Sequence, residues 1–209
     1  PGPGQVVVTQ QPTVAFVGDP NNLSASLSTA TASPASGVIA DGVDTSTITV
    51  TVRDANGNPV AGQTVSLAST GSNNTITQPA AVTNASGVAT GTIASTTAET
   101  KTITATINPG PGQVVVTQQP TVAFVGDPNN LSASLSTATA SPASGVIADG
   151  VDTSTITVTV RDANGNPVAG QTVSLASTGS NNTITQPAAV TNASGVATGT
   201  IASTTAETK

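Results

Sequence analysis

Residues 1–101 recur letter for letter as residues 109–209, and only TITATIN, Thr102 to Asn108, separates the copies. The period is therefore 108 residues. A long, unbroken period means that the folding unit is smaller than the chain and is used more than once. It also bears on function. Identical copies carry no private site, so the question becomes what a row of identical units is good for.

Each copy is written in short runs that alternate apolar residues with Thr and Ser. In STITVTV, Ile48, Val50 and Val52 share one face, and Thr47, Thr49 and Thr51 share the other. QTVSLAS repeats the pattern with Val65 and Leu67, and KTITATI with Ile103, Ala105 and Ile107. Period two in β-branched residues marks half-buried strands, and no run of useful length has the 3.6 period of a helix. Turn signals fall between the runs at Asn56-Gly57-Asn58-Pro59, Gly71-Ser72-Asn73-Asn74, Asn84-Ala85-Ser86-Gly87 and Asn108-Pro109-Gly110. The expected class is all-β with essentially no helix: tandem Greek-key β-sandwiches with about seven strands per repeat.

The unit frame is offset from the chain frame. Gly18-Asp19-Pro20-Asn21-Asn22 is polar and punctuated by Gly and Pro, and it follows the apolar run TVAFV. It reads as a linker over 18–22, with its copy over 126–130. One complete domain then spans 23–125. Residues 1–17 read as the last strand of a preceding domain, and 131–209 as a partial domain lacking its last two strands. The chain starts in mid-pattern and is expected to be a piece of something longer. That last strand is irregular: Val6 pairs in face with Val8 and Val14 with Phe16, but Gln10-Gln11-Pro12 intervenes. Proline cannot donate to a central ladder, so a bulge or a change of sheet is expected there. Phe124 is the only ring in the complete domain and is expected to plug its core.

Four segments also resemble a known family. Ala40-Asp41-Gly42 precedes the STITVTV strand, and the turn DANGNPVAG, Asp54 to Gly62, follows it. NASGVATGTI, Asn84 to Ile93, forms a turn and strand, and a Thr-rich TITATI strand closes the set. In this order and spacing they resemble the bacterial immunoglobulin-like domains of the invasin and intimin type, over nearly the whole repeat. The resemblance implies an Ig-like sandwich, an extracellular, cell-surface setting, a role in adhesion and use as a repeated stalk module. It does not imply receptor binding by the repeat, which in such proteins belongs to a distinct tip domain.

The composition narrows the chemistry. The chain has no His and no Cys, and only four basic residues against ten acidic ones, for a net charge of −6. Apart from the carboxylates and Lys101, no general base stands ready for a Ser nucleophile, so no enzyme is expected. The acidic balance offers nothing to nucleic acid or to an anionic membrane surface, and no stretch reads as a membrane insertion. No cofactor is expected, with calcium as the one metal candidate. Asp19 and Asn21 in the linker could meet Asp41 and Asp44 at a domain junction, as could the copies Asp127, Asn129, Asp149 and Asp152, because oxygen-rich sites with several carboxylates suit that ion. Asp54-Ala55-Asn56-Gly57-Asn58 begins like a calcium loop, but its Gly comes too early and no Glu closes it; it reads as a strand-connecting turn. Lys101, beside Glu99 and several Thr, is expected at the surface, which speaks against an isopeptide cross-link.

A row of such units suits a spacer. Each unit should advance the chain by about 35–45 Å, on a linker too short for free rotation. The expected function is a stalk repeat of a surface adhesin or fibre, with adjacent identical repeats as its partners. One alternative is a subunit of an assembled filament in which a neighbouring chain supplies the missing strands. Another is a glycan- or receptor-binding module, whose exposed aromatics are not expected in a sequence with two Phe and no Trp or Tyr.

Overall fold

The computed structural model describes residues 9–209, so Val6 and Val8 lie outside the described residues. The first unit runs through nine strands: β1 Thr29–Ser33, β2 Ser36–Ile39, β3 Ser46–Thr51, β4 Val65–Ser69, β5 Asn74–Thr77, β6 Val88–Ser95, β7 Thr100–Ile107, β8 Val114–Val115 and β9 Thr121–Val125. They form two facing sheets, ordered β1-β3-β6-β5 and β2-β9-β7-β4, with β8 beside β7. Every pairing is antiparallel except that of β2 with β9. Among the described residues there is no helix.

The alternation read from the sequence places the core. Ile48, Val50 and Val52 point inward from the β3 segment, Val65 and Leu67 from β4, and Ile103, Ala105 and Ile107 from β7. Phe124 enters from β9 beside Val122, which makes it the core plug expected of it. On β3 the intervening threonines stay outside the core.

Two strands are split. Between β1 and β2, across Pro34 and Ala35, the chain leaves one sheet and joins the other. Proline ends the first ladder because it has no N–H to give. The second split lies at Gln118-Gln119-Pro120, and it is an interruption rather than a change of sheet. β8 and β9 both pair with β7, and in the gap the Pro120 carbonyl accepts the Ile103 N–H at 2.9 Å.

The second unit forms β10 Thr137–Ser141, β11 Ser154–Thr159, β12 Asn182–Thr185 and β13 Val196–Ser203, ordered β10-β11-β13-β12. Its registers repeat those of the first sheet: Thr155 faces Thr200 as Thr47 faces Thr92. Residues 131–209 include no counterpart of 102–125. The inner face of this sheet opens into a groove of about 710 Å³ lined by Val146, Ile156, Leu175 and Ile201.

Candidate functional site

The best-formed polar cluster lies where the two units meet. It is built on the turn that follows β11, Asp162-Ala163-Asn164-Gly165-Asn166. Asp162 is 1% exposed, and its carboxylate collects four donors. Oδ1 accepts the N–H of Asn164 at 2.9 Å and of Asn166 at 2.8 Å. Oδ2 accepts the Asn166 side-chain amide at 2.9 Å and the N–H of linker residue Asp127 at 3.0 Å. An aspartate at the head of a turn bonds amides two and four residues on, which folds this loop locally. Here the same carboxylate also clamps the linker.

Once held by Asp162, the Asn166 carboxamide reaches the first unit with both ends. Its Oδ1 accepts the Ala98 N–H at 2.8 Å, and its Nδ2 donates to the Thr96 carbonyl at 3.1 Å. Asn164 Nδ2 donates to the Ala40 carbonyl at 3.1 Å. Just before the linker, the Val125 carbonyl at the end of β9 accepts the Ala40 N–H at 2.8 Å. A Cβ added to Gly126 would overlap the Pro167 carbonyl oxygen, so the linker lies directly on the loop of the second unit. The groups used on the first unit cluster around the start of β3 and the end of β6, whereas its own DANGN loop follows the far end of β3. The units therefore meet head to tail.

Identical sequence makes the first unit an internal control. Its Asp54 holds Asn56, Asn58 and Asp19 as Asp162 holds their copies. Asn58 is exposed, while Asn166 is 6% exposed. The difference between the copies is the neighbouring unit.

The calcium candidates bond backbone amides close to them in sequence. Within one repeat, Asp19 lies beside Asp54, and Asp41 with Asp44 lies at the other end of β3, roughly 20 Å away. Asp41 Oδ1 accepts the N–H of Val43 and of Asp44, both at 2.7 Å, and Asp44 accepts the N–H of Ile39 at 2.9 Å. Asp149 and Asp152 repeat this arrangement, and Asp19 and Asp127 each bond the amide two residues on, that of Asn21 and of Asn129. Among the described residues no group of three or more acidic side chains gathers as metal ligands would.

Lys101, expected at the surface, is fully buried. Period two explains it: Lys101 is in phase with Ile103, Ala105 and Ile107, so it points inward with them. Its Nζ donates to Glu99 at 2.5 Å and to the Ser72 carbonyl at 2.6 Å, pinning the turn between β4 and β5 to β7. No asparagine takes part in this arrangement.

Residues 27–125 and 135–209 match the bacterial Ig-like domain (group 1). The chain belongs to this family. A relative of this Ig-like chain, the inverse autotransporter adhesin YeeJ of Escherichia coli strain K12, is 35% identical over 152 residues. That alignment takes in 73% of this chain and 6% of YeeJ. Among solved structures, invasin, described as a bacterial integrin-binding protein, is 25% identical with a TM-score of 0.63, over 88% of this chain and 36% of invasin. InvD of Yersinia pseudotuberculosis is 30% identical with a TM-score of 0.63, over 85% of this chain and 49% of InvD. YeeJ is by name an adhesin and invasin is described as integrin-binding, and this chain spans only a small part of the length of either. Among the described residues no helix is long and apolar enough to cross a membrane.

The carboxylates make the Ig-like units acid-sensitive. The N–H of Asp19, with help from Asn58, holds Asp54 at about 2, down from the ordinary 3.8. Burial pushes Asp162 up, but the N–H of Asp127 and the Asn166 amide outweigh it and leave it lowered. Amides of Asp44 and Val43 lower Asp41, and the Lys101 ammonium lowers Glu99. These groups lose their protons more readily folded than unfolded, so between the two values the unfolded chain binds more protons. Stability is therefore full above about pH 5 and falls as pH drops from about 5 to 2. Thermal melts followed by circular dichroism across that range should show Tm falling, and a flat Tm down to the lowest pH would refute it.

Proposed function

We propose that this chain is a spacer segment of a bacterial surface adhesin, a row of identical Ig-like units that carries a distal binding domain away from the cell. The observation that carries the reading is the junction: a linker clamped by Asp162 and two asparagines bonded across to the preceding unit. A binding module would not need its own repeat as a neighbour, whereas a spacer does. The adhesin relatives supply the setting. Adjacent identical units are the partners, and repeat number sets reach.

Small-angle scattering on the full chain tests this. Two units end to end should give a rod with a maximum dimension of about 80–100 Å, little changed by salt. A collapsed particle, or a profile that needs a broad ensemble of inter-unit angles, would sink the spacer reading.

A second reading has one observation in its favour. Val14, Phe16 and Val17 are 73%, 92% and 89% exposed on a segment identical to the one that forms β9, while the second unit shows an open groove. In an assembled filament, that segment of one chain would enter the groove of another. Sedimentation velocity separates the readings: the spacer stays monomeric with rising concentration, and the filament subunit grows.

A further inference from the structure

The contacts across the junction are asymmetric. On the second unit they come from side chains, Asn164 and Asn166, positioned by Asp162. On the first unit they end on main-chain groups: the Ala40 and Thr96 carbonyls and the Ala98 N–H. We infer that the DANGN loop is a socket that reads the backbone of the neighbouring unit. Its partner is the far end of any unit with this backbone, whatever side chains that end carries. The inference rests on the spacer reading and names the residues that choose the neighbour.

Three observations converge on it. First, the chemistry at position 166 requires a carboxamide, because one end must accept an N–H while the other donates to a carbonyl. An aspartate there would set a carboxylate against the Thr96 carbonyl and against Asp162. Second, the carboxamide is held before it docks. Asn58 is bonded to Asp54 at 3.1 Å in the exposed copy just as Asn166 is bonded to Asp162 in the covered one, so docking needs no rearrangement of the loop. Third, the exposed copy shows a ready site. Beside Asn58, a notch of about 280 Å³ is lined by Phe16, Val17, Gly18, Pro59 and Ala85. The copies of Asn58 and Pro59 are the residues against which the first unit and its linker lie. The exposed pole of the first unit is therefore the receiving half of another such junction, and its occupant is the Ala40 and Thr96–Ala98 end of a further copy.

This division of labour has a use. If all selectivity sits in the loop of the following unit, repeats can be gained or lost without rematching side chains across each new boundary. Units that diverge at Thr96 or Ala98 still join, provided the next one keeps Asp, Asn and Asn at the spacing of Asp162, Asn164 and Asn166.

The chain has no native cysteine, so single labels are clean. Spin labels at Thr31→Cys and Thr139→Cys, one exposed site in each unit, report the inter-unit distance distribution by pulsed electron resonance. In the full chain the distribution should be narrow, and stay narrow with Thr96→Val or Ala98→Ser. It should broaden at least twofold with Asn164→Ala plus Asn166→Ala, and with Asn166→Asp alone. Asn58→Ala makes the same local change away from the junction and should leave the width unchanged, which separates loss of docking from loss of folding. Broadening by Thr96→Val as large as that by Asn166→Asp would overturn backbone reading, and so would a distribution that ignores both asparagine changes. A distribution already broad in the parent would instead count against the spacer reading itself.

Discussion

Phe124→Ala is expected to destabilise the first unit by about 3–5 kcal/mol, while Phe16→Ala changes its stability by less than about 0.5 kcal/mol. The two residues occupy the same position in identical sequence, so the contrast is a matter of environment alone. Phe124 is 4% exposed, sits opposite Val38 where β9 pairs with β2, and fills the core between the sheets. Truncation removes its transfer free energy and leaves a cavity that stiff β-branched neighbours refill poorly. A domain of this size has about 5–15 kcal/mol in total, so the loss takes a large share of it. Phe16 is 92% exposed and leaves no cavity behind. With no Trp or Tyr in the chain, urea unfolding followed by far-UV circular dichroism is the suitable measurement. Equal losses from the two changes would mean that residues 9–17 are packed into a core in solution, which would favour strand exchange between chains over a simple spacer.

The strands were legible because the signal for them is local. Alternation in STITVTV and KTITATI needs only the pleat and one buried face, and both segments fold as that pattern requires. Lys101 was misplaced because its chemistry outweighed its phase; its position two residues before Ile103 pointed inward all along. The split strands show how far a proline signal goes. Ser33-Pro34 and Gln119-Pro120 both interrupt a ladder, but only the first changes sheet, since that depends on which sheet lies across the gap. The junction was least legible. Asp54-Ala55-Asn56-Gly57-Asn58 accounts for itself as a turn, and nothing inside one repeat shows that the Asn58 carboxamide has a destination in another unit. A hint was present: once Asp54 takes the loop amides, the Asn56 and Asn58 side chains are not all needed to build the turn.

Asp162→Ala should be the most disruptive single change at the junction. The carboxylate holds two structures together, its own loop and the linker, through four donors that converge on two oxygens. Removing it leaves the backbone amides of Asn164 and of the buried Asn166 without a partner. Unpaired buried donors cost about 1–3 kcal/mol each, and the loop recovers part of this by loosening toward water, so about 2–4 kcal/mol is expected from the second unit. The second consequence is geometric. Asn166 loses the bond that orients it, and the Asp127 N–H loses its clamp, so the loop and the linker slip together. Because the groups share one partner, their energies will not add: Asp162→Ala combined with Asn166→Ala should cost clearly less than the sum of the two single changes. Asp54→Ala disturbs the same loop at the exposed pole and should leave the inter-unit distance distribution as narrow as in the parent chain. If Asp162→Ala and Asp54→Ala prove indistinguishable in that measurement, Asp162 is a turn residue only, and the rigidity of the row must come from the short linker itself.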